Sequence, residues 1–359
     1  MLRNLLLVLG TGATLLQAEV PLEQKIGQML MVGFHGTSVK PDSRICKDIR
    51  RYNLGAVILF DYNPVDKSKS KNIASKAQVA KLTKELQACS RDGKLLIAVD
   101  QEGGKVQRLK SKYGFYGNYP KAADAVKLGN MKQNYERMAQ ELRSVGINYD
   151  LAPVVDLDIN PKNYVIHALG RSFAKEPETV RKCASIFIDA MHRYGVLTSL
   201  KHFPGHGSSV GDTHKGFVDV TNLWKPVELE PYRLLKDRAD TVMVAHVFNR
   251  KLDPNYPATL SKKIVEGLLR KEIGFQGVVI TDDLQMGAIS KRYGLEDTLK
   301  LAINAGNDIL LFGNQLAAQR YPANGDIVAT IKHLVQAGEI KKERIEASYR
   351  RVLKLKSKL

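Results

Sequence analysis

The sequence predicts an α/β fold, a single (β/α)8 barrel of the TIM type. Eight short β-rich runs alternate with helix-like stretches along the chain. Runs such as 278–280 and 309–312 are continuously apolar, which is typical of parallel strands buried on both faces. A doubly wound parallel sheet is the alternative. The predicted strands span residues 28–34, 55–60, 95–101, 148–157, 197–203, 241–247, 277–283 and 308–313.

The chain length suits one large barrel. Its 359 residues are 44% hydrophobic, which is ample for a single core. We predict that residues 19–359 form one domain and that this domain ends in a basic amphipathic helix within 341–358.

Residues 1–18 have the order of a secretory signal peptide. Arg3 gives a basic tip, residues 5–9 are apolar, and Ala18 precedes the acidic Glu19. The apolar run is too short for an ordinary spanning helix, so we expect no stable membrane anchor after the leader is removed. The expected location is the periplasm or the cell exterior. If 1–18 is instead a buried helix, the cytoplasm is the alternative.

The chain is strongly basic. It has 55 Lys and Arg against 37 Asp and Glu, a net charge of +18. This charge favours attraction to a polyanion such as nucleic acid, anionic lipid or anionic wall polymer, but composition does not choose among them. Because the positive residues are spread over many helix-like segments, a solvated surface is the default expectation.

The three cysteines, Cys46, Cys89 and Cys183, include no short-spaced pair. An odd set without such a pair argues against a disulfide framework and against a thiolate metal site. We expect them to be ordinary small residues.

Five predicted strands end in polar residues. In a barrel, active-site groups stand at the C-terminal ends of strands, although a single polar residue there commonly caps the next helix. Five strands that end alike predict a pocket of hydrolase or lyase type. These residues are Asp100, Asp156, Lys201, His202, His246, Asp282 and Asp283.

Residues 201–214 carry most of the candidate chemistry. Three histidines, a lysine and an aspartate lie within fourteen positions of a glycine-rich loop. Asp212 and His214 are two residues apart, so in an extended segment the carboxylate can accept the imidazole N–H. Such a partner orients the ring and raises its basicity, as proton transfer near neutral pH requires. A structural pair is the alternative for this motif alone.

The same segment offers ligand types for a first-row metal ion. Helical zinc motifs place two histidines four residues apart, but Pro204 and Gly205 break a helix at that spacing here. No metal is therefore predicted, and a loop-borne metal site is a minor alternative. The possible ligands are His202, His206, His214 and Asp212.

Four motifs carry a family resemblance: 201–207 with Asp-Thr-His at 212–214, the stretch 100–108, Met-Val-Ala-His-Val at 243–247, and Thr-Asp-Asp-Leu-Gln-Met at 281–286. Together they resemble bacterial β-N-acetylhexosaminidases of glycoside hydrolase family 3, over about residues 22–315. The resemblance implies a barrel enzyme that removes terminal β-linked N-acetylglucosamine, often from peptidoglycan fragments, with retention of configuration. The Asp-x-His element is the most specific signal, because related β-glucosidases lack it.

The resemblance also implies residue roles. Asp282 corresponds to the nucleophile, which forms a glycosyl-enzyme, and His214 to the acid/base, supported by Asp212. The histidine replaces the second carboxylate that most retaining glycosidases use. The positions that correspond to substrate contacts are Asp100, Arg108, Arg171, Lys201, His202 and His246.

The implied partner is a glycan that ends in N-acetylglucosamine, with no cofactor, metal or nucleic acid. The aglycone stays open among an anhydro-muropeptide, a longer glycan and a chitin oligomer. The alternatives are a family 3 β-glycosidase of other sugar specificity, a catalytically silent glycan-binding relative, and a metal-dependent hydrolase. The presence of Asp282, Asp212 and His214 argues against the silent relative.

Overall fold

The computed structural model describes residues 19–66, 68–315 and 321–359. Eight parallel strands form a barrel, as predicted: β1 Leu30–Gly33, β2 Ala56–Ile58, β3 Leu96–Val99, β4 Tyr149–Asp150, β5 Leu197–Phe203, β7 Thr241–Val244, β9 Val278–Thr281 and β10 Leu310–Phe312. Their order is β10-β1-β2-β3-β4-β5-β7-β9, and a bridge between Ile280 and Ile309 joins the two ends. A separate parallel pair, β6 Val218–Asp219 and β8 Val247–Phe248, lies outside the barrel.

Helices surround the barrel: α1 Leu22–Gln28, α2 Arg44–Tyr52, α3 Lys76–Cys89, α4 Ala122–Ala125, α5 Met131–Ser144, α6 Pro177–Arg193, α7 Glu230–Leu235, α8 Gly287–Ser290, α9 Leu295–Ala305, α10 Asn324–Gln336 and α11 Lys342–Lys356. A helix with π-type hydrogen bonds spans Lys263–Glu272, and the short 3₁₀ turns are Ser111–Tyr113, Pro226–Leu229 and Ala258–Leu260. Local sequence explains some of the ends. Ser75 and Gln78 form a capping box at the start of α3, and Ser261 accepts the N–H of Ile264 as expected of a cap.

The strands alternate between two buried clusters. In β2, Val57 belongs to the cluster shared with the helices, whereas Ala56 and Ile58 belong to the cluster that fills the barrel. Inside the barrel the hydroxyl groups of Tyr149 and Thr241 are 2.6 Å apart, so this buried phenol is hydrogen-bonded. This packing fixes the strand ends that carry polar side chains.

The basic helix α11 is not only a solvated surface. Asp308 is fully buried and accepts hydrogen bonds from Arg270, Arg344, Arg351 and Ser348. Because three of these four residues come from α11, the carboxylate binds the last helix to the barrel. The expected solvated face therefore holds for only part of this segment.

The expectation for the cysteines is wrong for two of them. Cys46 in α2 and Cys89 in α3 form a disulfide with their Cα atoms 5.2 Å apart, and Cys183 is free and buried. The two cysteines are 43 residues apart in sequence, and they meet because α2 and α3, which precede and follow β2 in the chain, pack against each other. Spacing alone could not reveal that contact.

The predicted leader, residues 1–18, lies outside the described residues. Within the part of the chain that the structure describes, no helix has the length and apolar character needed to cross a membrane.

Candidate active site

A cavity of about 290 Å³ opens at the C-terminal end of the barrel strands. Its floor is apolar, with Ile58, Met243 and Leu311 from strands β2, β7 and β10. Its walls are polar and come from the end of strand β5 and from the loops that follow the strands. An apolar floor with a few placed polar groups is typical of a small-molecule site. The polar and charged wall residues include Asp100, Glu102, Arg108, Arg171, Lys201, His202, His206, Asp212, His214, Asp282 and Asp283.

Lys201 joins two carboxylates on one wall. Its Nζ lies 2.9 Å from Asp100 and 2.7 Å from Glu102, and the side chain is only 2% exposed. Arg108 lies 3.3 Å from Asp100. Arg171 donates two hydrogen bonds to the Glu102 carboxylate, of 2.8 and 2.7 Å. Five charged side chains thus fix one another before any ligand enters.

The charges of this wall stay ionised. Burial by itself raises the pKa of Glu102, but Arg171 and Lys201 outweigh it and hold that pKa below its usual value. Burial acts on Asp100 in the same direction, and Lys201 and Arg108 again keep its pKa lowered. The wall can therefore offer carboxylate acceptors and cationic donors to sugar hydroxyl and amide groups.

His202 is oriented from behind by Asp156. The Nδ1 atom of His202 lies 2.6 Å from the buried carboxylate, which also accepts the backbone N–H groups of His202 and His206. With Nδ1 bonded to the carboxylate, Nε2 is directed to the guanidinium of Arg171 at 3.4 Å and to the cavity. Burial lowers the pKa of His206 to about 4, so this neighbouring ring is neutral.

The loop after β5 needs its glycines. Gly205 has φ of +117°, and a Cβ there would lie 2.5 Å from the Cβ of Glu228. Glu228 is buried and accepts the N–H groups of Ser208 and Lys225. Burial, with the charge of Asp156, raises the pKa of Glu228 to about 7. This carboxyl group is a buried anchor for the loop.

Asp212 and His214 stand at the far end of that loop. The Nδ1 of His214 lies 2.8 Å from Asp212, which also accepts the backbone N–H of His214 at 3.0 Å. The His214 ring is 57% exposed, whereas Asp212 is 19% exposed. Burial raises the pKa of Asp212, but the bonds from His214 outweigh it and keep that pKa lowered. Gly287 and Ala288 of α8 donate backbone N–H groups to residues 214 and 213, which holds the loop against the cavity.

Asp282 follows β9 at the cavity wall. Burial raises its pKa, but His246, His202 and His214 together outweigh burial and lower it, so the group is a carboxylate. The neighbouring Asp283 differs: burial, with the charge of Asp282, raises its pKa to about 6. Adjacent carboxyl groups with pKa values shifted in opposite directions can serve different roles.

Eight of the nine sequence-predicted site residues line this cavity: Asp282, His214, Asp212, Asp100, Arg108, Arg171, Lys201 and His202. The ninth, His246, is fully buried outside the lining. Its Nδ1 lies 2.7 Å from the Thr259 hydroxyl group, and its Nε2 lies 2.9 Å from the carbonyl oxygen of Asp283. His246 therefore supports the backbone next to Asp282 and does not line the cavity.

Sequence reasoning did not single out Glu102, although it lies within the motif 100–108. The signal available was its position two residues after Asp100, just beyond the end of the predicted strand 95–101. Across the described segments, no group of three or more His, Cys, Asp and Glu side chains is arranged to hold a metal ion.

The arrangement places an ionised carboxylate and a carboxylate-supported imidazole on one cavity that also contains fixed polar groups. Such a pair can carry out nucleophilic attack and proton transfer on one bound molecule. The charged wall can hold that molecule in one orientation.

Comparison with known proteins identifies the family of the chain. Residues 21–355 match the Glycosyl hydrolase family 3 N terminal domain. Beta-hexosaminidase A of Pseudoalteromonas piscicida is 33% identical over 97% of this chain and 63% of its own length. A beta-hexosaminidase of Xanthomonas oryzae pv. oryzae is 33% identical over 79% of this chain and 83% of its own length.

Solved structures agree in fold. A family 3 beta-N-acetylglucosaminidase from Paenibacillus sp. str. FPU-7 has a TM-score of 0.83 and 35% identity, over 95% of this chain and 63% of that one. Beta-N-acetylhexosaminidase from Beutenbergia cavernae has a TM-score of 0.83 and 31% identity, over 95% of this chain and 99% of that one. The chain thus spans about 63% of the Pseudoalteromonas and Paenibacillus proteins. The extent of these matches shows that the chain belongs to glycosyl hydrolase family 3.

Proposed function

We propose that the protein is a retaining exo-β-N-acetylglucosaminidase that releases terminal N-acetylglucosamine from glycans. The observation that carries the proposal is the presence of Asp282 and the Asp212–His214 pair on one cavity. The relatives' names, beta-hexosaminidase and beta-N-acetylglucosaminidase, support the sugar class.

In the first step the Asp282 carboxylate attacks the anomeric carbon. The bond from that carbon to the leaving oxygen breaks, and protonated His214 gives its Nε2 proton to the oxygen. The products are a glycosyl ester on Asp282, a free aglycone and a neutral imidazole. Asp212 accepts the Nδ1–H throughout, so the ring keeps one tautomer and orientation.

In the second step neutral His214 takes a proton from water as the water oxygen attacks the anomeric carbon. The ester bond breaks, and Asp282 returns to a carboxylate. Two displacements at one carbon restore the original configuration, and one group serves as acid and then as base.

The charged wall positions the sugar. Asp100 and Glu102 can accept from hydroxyl groups, while Arg108 and Lys201 can donate to sugar oxygens. Because these side chains already hold one another, little reorganisation accompanies binding.

The proposed substrates are peptidoglycan-derived or related glycans, reached in the periplasm or outside the cell. The leader-like order of residues 1–18 supports export. The Cys46–Cys89 disulfide also supports it, because disulfides persist in oxidising compartments. N-terminal sequencing of protein from fractionated cells tests this location: we expect a chain that begins near Glu19, and an intact Met1 in the soluble cytoplasm would contradict export.

Turnover of an aryl β-N-acetylglucosaminide beside the matching β-glucoside tests the activity. We expect kcat/KM for the acetamido sugar to be much the larger. Equal or greater turnover of the glucoside would replace the proposal with a family 3 β-glycosidase of other specificity.

A further inference from the structure

Lys71 is a buried cation that the proposed mechanism does not use. It lies in the segment that follows β2, its side chain is inaccessible to solvent, and among the described residues no carboxylate forms an ion pair with it. A fully buried lysine is rare in proteins, because an ammonium group loses its hydration on burial. The oxygen atoms that surround its Nζ therefore indicate what Lys71 does.

These oxygen atoms belong to the segment that follows β10. Lys71 donates to the carbonyl oxygen of Gly313 at 3.0 Å, to the carbonyl oxygen of Asn314, and to the side-chain oxygen of Gln315 at 2.8 Å. The centroid of the Phe60 ring lies 4.6 Å from the same Nζ. Phe60 and Gln315 line the cavity, so Lys71 joins two of its walls from behind.

Gly313 connects Lys71 to the proposed nucleophile. The carbonyl oxygen of Gly313 accepts from Lys71, and the backbone N–H of Gly313 donates to the Asp283 carboxylate. The backbone N–H of Asp283 in turn donates to Oδ1 of Asp282 at 2.8 Å. Burial lowers the pKa of Lys71 to about 7, and the charge of Asp283 opposes that shift, so these two groups also attract each other. A continuous path of hydrogen bonds therefore runs from Lys71 to the Asp282 carboxylate.

The residues of this path have little freedom to move. A Cβ atom on Gly313 would lie 2.5 Å from Oδ2 of Asp283, and a Cβ atom on Gly33 would lie 1.8 Å from the carbonyl oxygen of Gly313. Asn314 and Gln285 exchange two hydrogen bonds, of 2.7 and 2.9 Å, which join the segment after β10 to the segment after β9. A displacement of Gly313 must therefore displace Asp283 as well.

We propose that Lys71 is a positioning residue for the Asp282 carboxylate. It acts through Gly313 and Asp283: the ammonium group holds the backbone of Gly313, and Gly313 holds the Asp283 carboxylate. The N–H of Asp283 then directs one oxygen of Asp282. Because the other oxygen must face the anomeric carbon, a small rotation of the carboxylate slows its attack. The inference rests on the proposed function, in which Asp282 is the nucleophile.

Lys71→Met tests the role, because it keeps the length of the side chain and removes the ammonium group. We expect kcat/KM for an aryl β-N-acetylglucosaminide, which measures formation of the glycosyl-enzyme, to fall about 10–100-fold. The inhibition constant of N-acetylglucosamine should stay unchanged, because the charged wall that binds the sugar is intact. Lys69→Met, which alters an exposed lysine of the same segment, should leave both quantities unchanged.

Covalent trapping separates attack from binding. A 5-fluoro analogue of the sugar should label Asp282 in wild type and in Lys71→Met. The limiting rate of labelling should be lower in the variant by about the factor seen in kcat/KM, whereas the concentration for half-maximal rate should be the same. A label on another residue, or no turnover by wild type, would contradict the proposed function itself and with it the target of Lys71.

A double-mutant cycle with Asp283→Asn tests the route. If Lys71 acts through Asp283, the variant with both changes should lose no more kcat/KM than the more damaged single variant. Losses that multiply would show that the two side chains act independently, which overturns the route through Gly313.

Thermal unfolding checks that the variants are folded. If Lys71→Met is unfolded at the assay temperature, Lys71→Gln, which keeps an amide donor for the same carbonyl oxygens, is measured in its place. Wild-type kcat/KM in a folded variant, with the label on Asp282, overturns the role of Lys71 and leaves the proposed function standing. Equal losses of kcat/KM and of affinity for N-acetylglucosamine also overturn it, because they indicate a general loosening of the cavity.

Discussion

The imidazole of His214 and the carboxylate of Asp212 are 2.8 Å apart, and the same carboxylate oxygen accepts the backbone N–H of His214. Two bonds to one oxygen fix both the ring and its backbone. Asp282 lies on the same cavity but on a different loop, after β9. The proposed mechanism therefore depends on two separate segments whose roles can be tested one at a time.

Asp282→Asn should abolish most turnover while the protein stays folded, because a carboxylate at the strand end serves chemistry and not the core. Removal of a nucleophile typically costs several orders of magnitude in kcat. Activity assays and circular dichroism measure the two effects. A 5-fluoro or 2-deoxy-2-fluoro sugar analogue should label Asp282 in peptide mapping. A label on Asp283 would show that the two adjacent carboxyl groups have been assigned in reverse.

Lys201→Met should destabilise the protein by about 3 kcal/mol at pH 7, since it leaves two buried carboxylates without their shared ammonium group. The pKa values of Asp100 and Glu102 are lowered in the folded state, so the stability they contribute is present above about pH 4.5 and is lost as the pH falls further. The difference in the free energy of unfolding between the variant and wild type should therefore become smaller below that pH. Urea unfolding measures it.

Lys69→Met is the matched control, because Lys69 pairs with Asp66 but is 75% exposed. Lys69→Met should lower the free energy of unfolding by less than about 1 kcal/mol. Equal costs for the two lysine variants would contradict the structural role of Lys201.

Sequence patterns predicted the barrel because strand runs and strand ends are local features. The prediction for β5 agrees at both ends, 197–203, whereas β4 was predicted over 148–157 and spans only Tyr149–Asp150. After Asp150 the backbone still bonds to both neighbouring strands, through Leu151 to Val99 and through Ala152 to Ser199, but regular strand pairing ends and only an isolated bridge between Val154 and Lys201 follows. An apolar run in the sequence does not show where regular strand pairing ends.

Contacts between distant segments were harder to foresee. The Glu102–Arg171 pair joins residues 69 apart, and the Cys46–Cys89 disulfide joins residues 43 apart. His246 stands at a predicted strand end, but side-chain direction places it against Thr259 instead of the cavity. Each of these three contacts depends on how the closed barrel brings distant segments together. The distance between two residues along the sequence does not show this.

Glu228→Gln should change the pH dependence of stability. The pKa of Glu228 is raised from 4.5 to about 7, so its protonated form stabilises the fold and this stability is lost as the pH rises from about 4.5 through 7. Glutamine stays neutral. Between pH 5 and pH 8 the free energy of unfolding of the variant should therefore rise relative to that of wild type, by at most roughly 3 kcal/mol. Thermal unfolding at several pH values measures the trend. The exposed control Glu343→Gln should show no such trend.

The disulfide should contribute about 2–5 kcal/mol to the free energy of unfolding, mainly by restricting the unfolded chain. A Cys46→Ser/Cys89→Ser variant should lose that amount, and reductant should lower the stability of wild type but not of the variant. Denaturant unfolding with and without reductant measures both. An unchanged wild type in reductant would contradict the Cys46–Cys89 pairing.

The division of labour between Asp282 and His214 is tested most directly with aryl N-acetylglucosaminides of rising phenol pKa, measured for wild type, His214→Ala and Asp212→Ala. If His214 protonates the leaving oxygen, its loss should cost about 10²–10⁴-fold for poor leaving groups and much less for acidic phenols, which need little protonation. Asp212→Ala should fall between the other two, because the ring remains without its orienting carboxylate. A steeper dependence on leaving-group pKa in His214→Ala is the predicted result. A uniform loss on every substrate would make His214 a binding or structural residue and contradict the proposed acid.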